Sequence, residues 1–213
     1  MFLKTNSRRP VVWPKIEKEL EPFQKYFKGK ILNAGSGNRD ISSIVEGELF
    51  NLDLPMGSHN SNIHIKSTLE KIPVTNEFFD VIICNAVLEH VENVNLVMDE
   101  FFRVLKPGGY LYICIPFMQP VHNDPKDYRR YTSDGLIQLL EKYNFSVIDL
   151  KSIHSVYHTL GWIIHEWLSS EKSVIYWLLK QILYPIIKYK TKVSRKTVTS
   201  ISSAFGAISQ KNK

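Results

Sequence analysis

Short apolar runs alternate with segments of helical period along most of this chain, and few architectures absorb that order. Lys30–Asn33 (KILN), Leu49–Leu54 (LFNLDL), Ile63–Lys66, Asp80–Cys84 (DVIIC), Tyr110–Ile115 (YLYICI) and Phe145–Leu150 (FSVIDL) read as strands. The runs at 80–84 and 110–115 show little polar alternation, the pattern of strands covered on both faces. A helix is expected over residues 15–28, with Ile16, Leu20, Phe23 and Phe27 at helical spacing, Pro14 in its first turn and Gly29 as its stop. Further helices are expected near Ile41–Val45, over Val94–Leu105 before Pro107-Gly108-Gly109, and over Ser133–Tyr143. Strands alternating with helices predict an α/β fold: a doubly wound, Rossmann-like, mostly parallel sheet with right-handed crossovers.

The charge is unevenly placed. The 213 residues carry 27 Lys+Arg against 21 Asp+Glu, a net of +6. Residues 1–171 hold 18 of the bases and all 21 acids, a net of −3, whereas 172–213 hold nine bases and no acid, a net of +9. A basic segment of this kind suits an anionic surface. The acidic remainder argues against a nucleic-acid partner. Cys84 and Cys114 sit in apolar runs, as buried reduced thiols do. The start, MFLKTNSRRPVVW, lacks the apolar stretch of a signal peptide, so a cytoplasmic location is expected. His59 and His64 read as ordinary surface residues.

In a sheet of this class, ligands bind beyond the carboxyl ends of the strands. The first strand runs into Asn33-Ala34-Gly35-Ser36-Gly37-Asn38. Gly35 and Gly37 permit a sharp turn and a close approach of backbone to ligand. Asp53 closes the second strand and can accept both hydroxyls of a ribose. A dinucleotide site wants a third glycine where Asp40 stands, and a P-loop wants a G-K-[ST] that is absent.

The segments ILNAGSGNRD, NLDLP, STLEKIP, FDVIICNAVLEHVEN and FFRVLKPGGYLYICIP stand in this order. Together, over roughly residues 25–150, they resemble the class I S-adenosylmethionine-dependent methyltransferases of the type 11 kind. The resemblance implies S-adenosyl-L-methionine as cofactor. It implies Gly35 and Gly37 beside the methionine and ribose, Asp53 on the ribose and Leu54 against the adenine. It sets Thr68 at the adenine amino group, Leu69 at its flank and Asn85 near the methionine part, with Glu89 and His90 in the family-like LEH stretch. Two departures stand out: Asn33 replaces an acid, though it can still accept hydrogen bonds near the cofactor, and Arg39 replaces a third glycine.

After the fifth strand, residues 116–132 form a long loop, and long loops at strand ends are often functional. Methyl transfer from a sulfonium needs an aligned acceptor and often a base. His122 is the expected base, with Asp127 next, and Arg129 or Arg130 could clamp an anionic acceptor. The other reading of Asp127 and Arg130 is a structural ion pair, with Thr132 or Ser133 capping the next helix. His122, Asp124 and Asp127 have metal-ligand chemistry, but no further ligand pattern accompanies them, and no metal is expected. The pattern H-x-x-P-x-D-Y-x-R-Y-T resembles a methyltransferase branch associated with cell-surface polysaccharide and glycolipid biosynthesis.

Residues 1–152 are therefore expected to form the cofactor-binding domain and 153–196 a helical, amphipathic C-terminal extension. Residues 197–213, rich in Ser, Thr, Gly and Lys, read as a disordered tail. Within the extension, Ile175, Leu178, Leu179, Ile182, Leu183, Ile186 and Ile187 make an i, i+3, i+4 stripe flanked by lysines. The run is too short and too charged to span a bilayer. It suits a helix lying in a membrane interface, with core packing and a second subunit as alternatives. The sequence thus predicts a methyltransferase acting on a glycan or lipid-linked glycan, with peripheral contact through 172–196 on the inner membrane face. The alternatives are a soluble small-molecule methyltransferase and a non-catalytic module that keeps the fold.

Overall fold

The computed structural model describes residues 10–54, 63–123 and 125–213. His59 and Asp124 lie outside them. Among the described residues, seven strands form one sheet: β1 (Lys28–Ala34), β2 (Glu46–Asp53), β3 (Ile65–Lys66), β4 (Phe79–Asn85), β5 (Leu105–Pro116), β6 (Phe145–Ile153) and β7 (Ala204–Lys211). Their order across the sheet is β3-β2-β1-β4-β5-β7-β6. Only β7 runs against its neighbours, pairing antiparallel with both β5 and β6. The carboxyl ends of β1, β2, β4 and β5 therefore meet along one edge.

Side chains alternate between two packed layers. Leu32, Ile82, Cys84, Leu111 and Ile113 face one side, where α2 (Val94–Val104) and α3 (Ser133–Lys142) cover them with Met98, Phe101, Leu136 and Leu140. Ile31, Val81, Ile83, Tyr112 and Cys114 face the other, under Leu20, Phe23, Phe27, Ile41 and Ile44. Thr132 caps α3 by accepting from the Gly135 N–H at 3.1 Å. The helix expected over 15–28 is divided: α1 is Ile16–Leu20, and Glu21–Tyr26 continues as a 3₁₀ turn. Pro22 is the physical reason, since it supplies no N–H and its ring crowds the carbonyl of the preceding turn. Leu20, Phe23 and Phe27 are nevertheless fully buried, as their spacing implied.

The largest departure from expectation is at the carboxyl end. Residues 197–213 are not a disordered tail. They hold a 3₁₀ turn (Thr199–Ile201) and then β7, which sits inside the sheet. Its small, polar and apolar residues are mixed with no apolar run, which hid it, but the site demands such residues. Gly206 lies where an added Cβ would come within 2.7 Å of the Tyr112 hydroxyl. Ser209 donates to the Leu111 carbonyl, and the Lys211 ammonium donates to the carbonyls of Phe102 and Leu105. The helices expected as a terminal extension are thus an insertion between two paired strands. α4 (Val156–Ser170) and α5 (Val174–Val193) form a hairpin that leaves after β6 and returns before β7. Residues 1–152 do not close the domain without the returning strand.

The helical hairpin is tied to the N-terminal segment through Val11, Trp162 and Ile187, with Trp13 and Leu183 packed against them. His158 is the polar pin of this contact. Its Nδ1 accepts from the Ser155 N–H at 3.2 Å, and its Nε2 donates to the Val12 carbonyl at 3.1 Å. Only the neutral ring fits both bonds, and burial pushes its pKa from the ordinary 6.5 down to about 4. A depressed histidine stabilises the fold fully above 6.5, and that stability is lost as pH falls toward 4. Urea unfolding should therefore show a loss of about 2 kcal/mol between pH 7 and 5, and His158→Gln should flatten that slope. An unchanged slope in the variant would remove His158 as its source.

Candidate functional site

The glycine turn after β1 is built as its residue types require. Gly35 and Gly37 both have positive φ, at 66° and 54°. A Cβ on Gly35 would sit 2.7 Å from both methyls of Val87, so this turn packs on the turn that follows β4. Among the described residues, nothing lies within 4 Å of where a Cβ on Gly37 would be. The Gly37 N–H donates to Asp53 Oδ2 at 2.6 Å, and Leu54 N–H donates to Oδ1 at 2.8 Å. One carboxylate thus locks the end of β2 to the glycine turn. Arg39 folds back and donates to the Gly35 carbonyl at 3.1 Å, bracing the turn where a third glycine was expected.

Each predicted cofactor residue has a place. Asn33 is buried beside its cross-strand neighbour Asn51 and donates Nδ2–H to Asn51 Oδ1 at 2.9 Å. Leu54 is exposed at the mouth, with 47% of its surface open. Thr68 is exposed, whereas Leu69 is buried among Leu52, Ile72 and their neighbours, so its packing is with the core. Asn85 ends β4 and is buried, and its Oδ1 has no hydrogen-bond partner. Ser36 is fully buried, and its Oγ is likewise unpartnered. Buried polar atoms are normally satisfied, so two orphans beside the glycine turn indicate a polar ligand. One signal for Ser36 is legible beforehand: a hydroxyl between two glycines. Ala86, just after Asn85, holds φ at 54°, a strained value for a residue with a side chain.

A second polar group lies beyond the ends of β4 and β5. Leu88–His90 form a single 3₁₀ turn, and loop 117–132 is fastened to it. Tyr128 N–H donates to the Glu89 carbonyl at 2.8 Å, and Arg129 donates to the carbonyls of Leu88, Val91 and Glu92. Arg129 is therefore committed to the backbone and is not the acceptor clamp that its position suggested. Asp127 and Arg130 form a two-pronged ion pair. Asp127 also accepts from the His122 N–H at 2.9 Å, and Arg130 donates to the Pro120 carbonyl at 3.2 Å. The guanidinium holds the Asp127 carboxyl down at about 2, which disqualifies it as a base. The pair fixes the loop, and His122 stands on that loop.

His122 and His90 both turn Nε2 toward Glu89 Oε1, each at 3.8 Å. Glu89 is fully buried. Its carboxylate favours positive charge here and raises the pKa of the His122 ring. Trp162 of α4 lies over His122, ring centres 5.3 Å apart. Burial drives the thiols of Cys84 and Cys114 well up, leaving them inert.

The strand order, the single antiparallel strand and the polar edge define a class. The fold is that of the class I S-adenosylmethionine-dependent methyltransferases. Residues 34–113 match a family described as a methyltransferase domain. Among characterised relatives, the ubiquinone/menaquinone biosynthesis C-methyltransferase of Vibrio parahaemolyticus is 28% identical over 111 residues, 43% of this chain and 42% of that one. The ubiquinone biosynthesis O-methyltransferase of Rickettsia canadensis is 29% identical over 113 residues, 46% of this chain and 47% of that one. The chain spans about half the length of the curated relatives it matches. Among solved structures, an S-adenosylmethionine-dependent methyltransferase of Methanosarcina mazei superposes with TM-score 0.57 at 14% identity, covering 95% of this chain and 99% of that one. Phosphoethanolamine N-methyltransferase 2 of Haemonchus contortus, solved with S-adenosyl-L-methionine, superposes at 0.57 and 12% identity, covering 92% and 52%. At these identities the structures establish the fold.

Proposed function

We propose that this chain is an S-adenosylmethionine-dependent methyltransferase whose acceptor, a glycan or lipid-linked glycan, is presented at a membrane surface. The observation that carries the enzymatic part is the Asp53–Gly37 lock beside the buried, unpartnered Asn85 Oδ1 and Ser36 Oγ. Asp53 accepts ribose hydroxyls, the turn at Gly35 and Gly37 lets backbone come close, and Asn85 Oδ1 accepts from a cationic donor such as an ammonium. When bound, the cofactor supplies a methyl group on a cationic sulfur. Glu89, His90 and His122 form the polar end of the acceptor site, and the Asp127–Arg130 pair positions the loop that carries His122.

The membrane part is supported by α5. Its Leu179, Leu183 and Ile187 turn inward, while Ile175, Leu178, Ile182 and Ile186 are exposed, each with at least half of its surface open. Trp177 adds to that exposed face, Trp167 of α4 is exposed as well, and Lys188, Lys190 and Lys192 follow along α5. Core packing therefore accounts for one side of the helix alone. No helix among the described residues is long and apolar enough to cross a membrane. An apolar stripe bordered by lysines suits an anionic bilayer surface. The names of the relatives favour a second acceptor, an isoprenoid-quinone precursor.

The purified chain should float with anionic vesicles and transfer labelled methyl into a membrane extract. Ile175→Glu combined with Ile182→Glu should abolish flotation and leave binding of S-adenosylmethionine unchanged. Label recovered in the glycolipid fraction supports the first acceptor, and label in the quinone fraction supports the second. Flotation unaffected by the double variant would sink the membrane reading.

A further inference from the structure

We infer that Glu89, His90 and His122 form a binding site for a divalent transition-metal ion of the zinc class. The inference deepens the functional reading above, resting on it only for the place of this cluster at the acceptor end.

The hydrogen-bond pattern carries the argument. His90 Nδ1 lies 2.6 Å from the Lys126 carbonyl, and His122 Nδ1 lies 3.2 Å from the Pro120 carbonyl. A carbonyl only accepts, so each Nδ1 can hold its proton toward one, with the Arg130 guanidinium also 3.5 Å from His122 Nδ1, and a ring that gives up its other proton presents an Nε2 lone pair. Both Nε2 atoms face Glu89. The carboxylate is fully buried, and neither of its oxygens has a hydrogen-bond partner. The nearest nitrogens stand at 3.8 Å, beyond hydrogen-bond reach. Three donor atoms thus converge, all within 4.8 Å of one another, and a metal ion would take the place of the proton that Glu89 favours on the His122 ring. A buried carboxylate left so is costly unless a cation joins it.

A metal ion answers that need better than a proton, because it engages all three donors at once. Ligand arms of about 2.1 Å put donor atoms roughly 3.4 Å apart in tetrahedral geometry, so the two 3.8 Å spacings to Glu89 close by a few tenths of an ångström and the remaining pair, within 4.8 Å, by up to about 1.4 Å. The outer contacts also fit: ligating histidines usually donate their other N–H to a carbonyl or carboxylate. Two imidazoles and one carboxylate select zinc, iron or manganese over the harder magnesium and calcium. Three protein ligands leave a position open for an oxygen from water or acceptor, as in catalytic sites. The cluster is positioned from two separate elements, the turn after β4 and the loop after β5. Sequence spacing alone therefore showed no ligand motif and no metal was expected from it; of the residues with ligand chemistry weighed there, Asp127 is taken by the ion pair with Arg130.

The full chain, free of any affinity tag and stripped with a chelator, is dialysed against zinc and its bound metal measured by mass spectrometry. The expected result is one zinc per chain, with a rise in melting temperature that magnesium does not reproduce. Glu89→Gln and His122→Ala should each lose the metal while circular dichroism stays unchanged. The loss should exceed the roughly 10–100-fold caused by removing an outer partner of a metal ligand. Cobalt in place of zinc should give the visible absorption of a low-coordinate site. Failure of the wild-type chain to retain metal, or retention undiminished in both variants, overturns the site. Binding of S-adenosylmethionine is measured separately by calorimetry. Metal without cofactor binding would leave the site standing and overturn the functional reading, and cofactor without metal would do the reverse.

Discussion

Removal of residues 197–213 should leave no folded protein. β7 supplies hydrogen bonds to β5 along Tyr110–Pro116 on one side and to β6 along Phe145–Ile153 on the other. Without it, two strands lose their partner at once and β6 is cut from the sheet. Phe205 and Ile208 are buried on opposite faces, and losing them alone removes about 3–6 kcal/mol. With Ala204, Ala207 and two backbone ladders added, the loss exceeds the roughly 5–15 kcal/mol that holds a typical domain together. A soluble truncated chain with native circular dichroism and a cooperative melt would refute the assignment of this strand. Gly206→Val gives a milder check. Its side chain would meet the Tyr112 hydroxyl and Ile153, so a lowered melting temperature with an intact chain is expected.

Asp53→Ala should weaken binding of S-adenosylmethionine by about 100-fold, equivalent to about 2.7 kcal/mol. The carboxylate has two tasks that fail together. It accepts the N–H groups of Gly37 and Leu54, and it stands at the end of β2, where a ribose would meet it. The side chain is only half-buried, so the fold should survive its loss. The effect should fall on KM for the cofactor more than on kcat. Leu54→Ala, at the exposed mouth, should cost less than tenfold, about 1.4 kcal/mol. Calorimetry on both variants checks the order; equal losses would mean that Asp53 does no more than shape the turn.

The sheet was legible wherever apolar runs were long. DVIIC and YLYICI could only be strands covered on both faces, and the chain delivered them as β4 and β5. The glycine turn and Asp53 were legible for a similar reason, since backbone that must bend sharply at a strand end leaves a mark in residue type. β7 escaped because its composition answers to its neighbours: Gly206 is small on account of Tyr112, and Ser209 is polar on account of the Leu111 carbonyl. Such reasons lie about a hundred residues away in the chain. The polar cluster beyond β4 and β5 was half legible. His122 stood out by its chemistry in the sequence, whereas the inward turn of Glu89 depends on the clasp between Leu88–His90 and loop 117–132.

The place of β7 also bears on how the chain acquires its shape while it is being made. The strand that joins β6 to the rest of the sheet emerges from the ribosome after the whole α4–α5 hairpin. Until residues 204–211 appear, β5 and β6 present open edges, and the parallel strands already made wait with an exposed border. Contacts that distant in sequence are slow to form, and unpaired edges invite association with other chains. Synthesis that pauses within the helical hairpin would prolong that exposure, which makes the last strand the gatekeeper of a clean yield.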